Sequence, residues 1–393
     1  MSKWEQVKLG DIGKIVTGTT PSTKNIEYYN ANDIPFYKPN DLSETKVSYL
    51  IEATNYLSEL AKTKLRILPK GSVLVTCIGT IGKIGVALIE CSCNQQINAI
   101  IPNLKKIDSQ YLAYSLFNMR KYMQGIANAA IVPILNKSNF SNIEIIIPPL
   151  QTQKQIAKTL DTAAELLAMR KQQLVELDNL IKATFYDMFS DPSTNLRRWN
   201  QSTVGKTIEV IEAGWSTDGE KRKKREDEKA VLKVSAVTSG YFRGSEYKVL
   251  DKDLEIKKYV YPHKGDLLFS RANTRELVGA TCMIFDDYPD LLLPDKLWRI
   301  KFNNLADLFY MKYTLSDSSV RNSLSNVSTG TSGSMYNVSM DKLKSLIVPL
   351  PPIELQTQFA NIVTKIEEQK AIVKQAIDET QHLFDSLMSE YFE

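Results

Sequence analysis

Residues 148–189 and 351–392 of this 393-residue chain are two copies of one segment, aligned without a gap at an offset of 203. Pro148 matches Pro351, Pro149 matches Pro352, Gln153 matches Gln356 and Gln155 matches Gln358. Ala157 and Ala360, Glu165 and Glu368, Leu180 and Leu383, and Phe189 and Phe392 are further identities. A fixed internal period constrains the architecture more than any local motif does. It predicts two mixed α/β (α+β) domains in tandem, residues 1–150 and 191–350. Each is followed by a long helix, residues 151–190 and 351–393, and the whole is related by a pseudo-two-fold.

Both copies carry a helical apolar stripe. Alternating steps of four and three give Ile156, Leu160, Ala163, Leu167, Arg170, Leu174, Leu177, Ile181, Thr184 and Met188 in the first. The same steps give Phe359, Val363, Ile366, Lys370, Val373, Ile377, Thr380, Phe384, Leu387 and Tyr391 in the second. Eight of ten positions are apolar in each copy, with no Pro or Gly inside, which is a heptad pattern. The Pro-Pro pairs stop the incoming strands near Ile143–Ile147 and Leu346–Val348. At 1.5 Å per residue, a helix of ~39 residues is about 58 Å long. A rod of that length outruns a domain of about 30–40 Å. The expectation is therefore an antiparallel coiled coil within the chain, rather than two helices each lying on its own domain.

The blocks share a fainter frame. Trp4–Gly10 resembles Trp199–Gly205, Pro69–Thr76 resembles Pro262–Ser270, and Tyr111–Tyr114 resembles Tyr310–Tyr313. Lys14–Thr17, Ser72–Cys77, Ile84–Ile89 and Ile97–Ile101 have the β-branched, turn-bounded character of strands, and 109–122 and 306–315 that of helices. The loops diverge: 17–40 against 214–229, 77–83 against 271–276, and 126–133 against 328–334. A shared frame with different loops suits two recognition domains with different targets.

Net charge is only +4. Residues 1–150 carry 16 basic and 11 acidic side chains and residues 191–350 carry 25 and 21, while the last helix is acidic. Mildly basic blocks suit a polyanion partner. No apolar run has the length of a membrane span and no signal peptide opens the chain, so a cytoplasmic location is expected. Cys77, Cys91, Cys93 and Cys282 form no C-x-x-C pair, and only His263 and His382 could join them, so buried thiols are expected rather than a metal site.

Catalytic signatures are missing. Gly79-Thr80-Ile81-Gly82-Lys83-Ile84-Gly85 lacks the spacing of a nucleotide-binding loop and reads either as a strand-turn-strand or as a phosphate cradle. Glu255-Ile256-Lys257 is an E-x-K, but Pro289-Asp290 lies after it instead of before it as a nuclease cluster requires, and no Asn-Pro-Pro-Phe methyltransferase motif occurs. What remains is polar loop chemistry. Lys38, Asn40, Lys83, Asn94, Gln95 and Gln96 in the first block are of the types that grip phosphates and touch base edges. So are Arg271, Asn273, Arg275 and Lys296 in the second. Lys221, Arg222, Lys223, Lys224 and Arg225 form either a phosphate-gripping loop or a solvated one, since Glu226, Asp227 and Glu228 follow at once.

Taken together, Pro148-Pro149-Leu150 leading to Gln155-Ile156-Ala157, Pro351-Pro352-Ile353 leading to Gln358-Phe359-Ala360, and the Trp4 and Trp199 block starts resemble the specificity subunit of a Type I restriction-modification system. The resemblance covers essentially the whole chain. It implies two target-recognition domains, each reading half of a bipartite, asymmetric site in double-stranded DNA. The helical pair would set the gap between the halves and dock two modification subunits, with restriction subunits joining them. S-adenosylmethionine, ATP and Mg²⁺ are then expected on those partners, none on this chain, and the chain itself is expected to be non-catalytic. With ~34 Å per DNA turn, a ~58 Å spacer corresponds to one to two turns. The other readings are a specificity subunit of a related Type IIB-like system and a coiled-coil scaffold that binds proteins.

Overall fold

The computed structural model describes residues 4–127, 132–326 and 336–392. The chain divides into two compact units, Met1–Gln172 with Lys374–Glu393, and Gln173–Val373. Each long helix, Leu150–Phe189 and Ile353–Phe392, therefore gives one half to each unit.

In the first unit a five-stranded sheet runs in the order Gly13–Thr17, Ile97–Pro102, Val73–Thr76, Ile84–Ala87, Ser48–Leu50. All pairs are antiparallel except the last. A smaller sheet sets Ile34–Tyr37 antiparallel to Tyr56–Leu57 and parallel to Ser92–Cys93. The second unit repeats this plan. Ile208–Ala213, Leu297–Phe302, Leu267–Ser270 and Thr281–Met283 form the larger sheet, and Ala230–Leu232 pairs antiparallel to Tyr247–Val249 and parallel to Leu291–Leu292. The Gly79–Gly85 segment joins two antiparallel strands through a turn, with positive φ at Gly79 and Gly82, conformations that glycine adopts without a Cβ penalty.

The repeated Gln is a structural stitch. Gln153, fully buried, accepts a hydrogen bond from Asp108 N at 2.8 Å and donates to Lys106 O at 3.0 Å and Pro148 O at 2.8 Å. Gln356 does the same with Asp307 N at 2.8 Å, Leu305 O at 3.3 Å and Pro351 O at 2.8 Å. Asp108 and Asp307 in turn cap the helices Ser109–Asn118 and Leu308–Ser316. Tyr111 and Tyr310 then donate to Ile146 O and Pro349 O on the closing strands. One amide thus ties the start of the long helix to the loop that opens the domain helix.

Inside the first unit the helices run antiparallel. Arg170 donates to Ala376 O and Thr380 Oγ1, while Leu160 shares a core with Met388. Inside the second, Ile181, Phe185 and Phe189 meet Phe359, Val363 and Ile366. Ile156, Leu160, Ile181, Phe359, Val363, Ile366 and Val373 are buried, and Leu167, Leu174, Leu177, Ile377 and Phe384 are half-buried. The stripe is nevertheless broader than a seam of two positions in seven. Phe384 packs on Tyr114, and Phe359 packs on Tyr313 as well as on Phe185. Each helix end therefore packs on its domain and on the other helix, where the sequence pattern alone presented these as alternatives.

Among the described residues no helix is long and apolar enough to cross a membrane, and no cluster of side chains could hold a metal ion. All four cysteines are buried, with burial pushing Cys77 up to about 11 and Cys91 up to about 12.

Candidate nucleic-acid interface

At one end of the larger sheet of each unit, four chain segments converge through matching backbone hydrogen bonds. In the first unit Gly18 N donates to Ile97 O at 3.0 Å, Thr19 N to Cys93 O at 3.0 Å, Cys77 N to Gln96 O at 2.8 Å and Leu135 N to Cys77 O at 2.9 Å. In the second, Trp215 N donates to Leu293 O at 3.0 Å, Arg271 N to Lys296 O at 3.0 Å and Val338 N to Arg271 O at 2.9 Å. Gly18 and Gly214 make the crossings possible. A Cβ there would sit 2.1 Å from Asn94 O and 1.8 Å from Leu293 O, inside backbone atoms that cannot move aside.

On this common frame the chemistry differs. The first unit presents hydroxyls and amides. Thr17 Oγ1 donates to Asn98 Oδ1 at 2.7 Å, Thr20 Oγ1 to Gln95 Oε1, and Asn94 Nδ2 to Gln96 Oε1 at 2.9 Å. The second presents charge. Arg271, in the frame position of Cys77, donates Nε to Asp295 O at 2.8 Å and Nη2 to Asp295 Oδ2 at 3.1 Å, and Ser216 donates to the same carboxylate. Burial opposes ionisation of Asp295, but Ser216 and Arg271 hold its carboxyl below the usual range. Hydroxyls and amides offer donors and acceptors to base edges, whereas a guanidinium offers only donors, so the two ends suit different base patterns.

The candidate residues fall into three groups. Asn94, Gln95, Gln96, Arg271 and Lys296 lie at these convergent ends. Asn94 N also bonds Tyr37 O, which brings the strand carrying Lys38 alongside, and Lys38 Nζ is engaged with Asn55 Oδ1 at 2.8 Å. Asn40 and Arg275 are exposed, and Asn273 sits in a two-residue strand pairing with Tyr336. Lys83 is mostly covered and pairs with Glu44 at 3.2 Å.

The basic run is not uniform. Arg222 forks onto buried Glu228 at 2.7 and 2.9 Å and also reaches Glu220 at 2.7 Å. That fork, joined by Arg225 N, holds the Glu228 carboxyl down at about 2. Lys224 pairs with Asp290. Lys221, Lys223 and the Arg225 side chain stay exposed, so only part of the run can meet a phosphate. The sequence list missed Thr20, Ser216 and Asp295. The matched triplets Gly18-Thr19-Thr20 and Gly214-Trp215-Ser216 carried the signal for two of them. Of the divergent loops, residues 128–131 and the whole of 328–334 lie outside the described residues.

The family described as the Type I restriction modification DNA specificity domain matches residues 1–179 and 199–382. The specificity subunit of the MjaIX Type I restriction enzyme of Methanocaldococcus jannaschii is 33% identical over 193 residues, 48% of this chain. The chain spans less than half of that relative, 44% of its length. The specificity subunit of the EcoKI Type I restriction enzyme of Escherichia coli K12 is 25% identical over 425 residues, covering 99% of this chain and 88% of that one. The solved Type I restriction-modification S subunit of M. genitalium shares the fold, with a TM-score of 0.58 at 14% identity over 100% of this chain and 96% of that one.

Proposed function

The chain belongs to the family of Type I restriction modification DNA specificity domains, and on that premise we propose that it is the DNA sequence-specificity subunit of a Type I restriction-modification complex. Each recognition domain reads one half of a bipartite, asymmetric DNA site. The observation that carries this reading is the pair of sheet ends, sharing three matched backbone bonds yet amide-and-hydroxyl in one unit and charged in the other. Identical ends would suit a palindrome, and different ends suit two different half-sites.

In this reading Gln95, Gln96, Asn94 and Lys38 with Asn40 serve one half-site. Arg271, Asn273, Arg275 and Lys296 serve the other, and Lys221, Lys223 and Arg225 grip phosphate. The helices set the number of unread base pairs and dock two modification subunits. Those partners, with restriction subunits, carry S-adenosylmethionine, ATP and Mg²⁺, and this cytoplasmic chain performs no chemistry of its own.

The test is a methylome. The chain is expressed with its modification subunit in a host free of adenine methylation, and modified bases are mapped by single-molecule sequencing. One new bipartite motif with a fixed gap, lost when this chain is omitted, is the expected result. No modification in the presence of an intact, bound modification subunit would overturn the reading.

A further inference from the structure

The second unit holds a cavity of about 340 Å³, lined in part by the start of the edge strand Thr281–Met283. Lys182 of the first long helix, the turn Thr238–Tyr241, Thr281, Lys312 with Ser316, and Arg321 line it. Its charge is unbalanced. Asp178 is the one carboxylate in the lining, and it is already occupied by Lys370 at 2.7 Å and by Tyr241 OH at 2.5 Å. Lys312 and Lys182 make no ion pair with any described residue. Lys312 lays its ammonium over the Tyr313 ring, 3.9 Å from the centroid, and over the Tyr241 ring at 6.0 Å. Arg321 donates Nη2 to two backbone carbonyls, Glu276 O and Val278 O, and its buried Nε has no partner. Thr281 and Ser316 hydroxyls face each other at 2.7 Å and can turn to donate inward.

Lys312 and Arg321 are partly withdrawn from water and Lys182 is exposed beside them. The carboxylates that act on Lys312, Asp178 and Glu367, are already engaged by Lys370, so an entering anion is favoured. Burial accordingly pushes Lys312 down to about 8. We propose that this cavity is a binding site for a phosphate group, held by Lys182, Lys312 and Arg321, with Thr281 and Ser316 as neutral donors. Planar guanidinium and ammonium donors with hydroxyls match the oxygens of a tetrahedral oxyanion. The volume lies at the lower end of the ~300–1,000 Å³ range of small-molecule sites, so a phosphate carried on a small molecule fits as well as the bare ion. One wall is the long helix and the others belong to the domain, so an occupant would tie the two together.

Thermal unfolding of the full chain in inorganic phosphate, against sodium chloride at matched ionic strength, tests the site. A saturable rise in unfolding temperature specific to phosphate is expected, with the apparent Kd raised at least tenfold by K182A and by K312M. Lys182 is exposed, so K182A preserves the fold. K312M removes a buried, unpaired charge and should unfold no lower than the parent without phosphate. An equal rise in chloride, or undiminished phosphate binding in both variants, would overturn the proposal. Adenosine monophosphate saturating at lower concentration than inorganic phosphate identifies a small phosphorylated ligand, and duplex DNA that blocks the phosphate effect identifies a backbone phosphate. Either result supports the site. The methylome reads half-site recognition separately, so one reading can fail without the other.

Discussion

The two units solve the same folding problem and then diverge in where they place charge. Both cap a domain helix with Asp, stitch it with a buried Gln, and cross their loops over a glycine. Yet at one repeat position of the helices the first unit is apolar where the second is ionic. Leu167 occupies the repeat position of Lys370. Burial alone would depress Lys370, but Asp178, Glu367 and Tyr241 hold it charged and above its usual range. The first unit uses hydroxyls instead, with Tyr49 and Tyr114 both donating to Asp161. The lesson is that the backbone frame is held in common while polar chemistry, at the sheet ends and along the helices, is free to vary. The variable part is therefore the part available for specificity.

That comparison can be broken most severely at the glycines. Gly18→Ala and Gly214→Ala each drive a methyl into a backbone carbonyl, and each should cost about 3 kcal/mol or more, in equal measure, by denaturant unfolding followed in each unit. A large cost in one and none in the other would mean that the frames are not equivalent. Next come the stitches. Gln153→Leu and Gln356→Leu leave a buried N–H and carbonyls unpaired, for about 2–3 kcal/mol apiece. Hydrogen exchange should localise the loosening to residues around 106–111 and 305–310 respectively.

Lys370→Met should sharpen the difference, since it leaves Asp178 with only the Tyr241 hydroxyl and takes the ammonium from Glu367. Both carboxylates are partly solvated, so about 2 kcal/mol is expected, below the cost of breaking a fully buried pair. Leu167→Met, at the matching place, should cost under about 1.5 kcal/mol by the same thermal measurement.

The smallest effect is confined to acid pH. Glu228 has its folded pKa near 2, below the 4.5 of a free Glu, so its contribution is complete above 4.5 and is lost as pH falls from there toward 2. Protection of the amides across 220–229, relative to their intrinsic exchange, should fall over that window in the parent. In E228Q it should already be low at pH 6 and show no such step.

The sequence by itself determined the duplication, the two long helices, the mixed domains and the family. All of these rest on periodicities and paired residues that survive as a linear pattern. It located the four inner strands it named in the first block to within a residue or two, with Ile84–Ala87 observed where Ile84–Ile89 was expected, but not the strands of the smaller sheets. It could not show that Gln153 and Gln356 face inward, because a Gln in a heptad helix looks solvent-bound until the loop it binds is in place. Nor could it show which cations are spent. Arg222 and Lys224 lose their freedom to Glu228 and Asp290, the second 66 residues away, while Lys221, Lys223 and Arg275 keep theirs. The distinction between a paired and an available charge depends on distances across strands, and those exist only once the chain has folded.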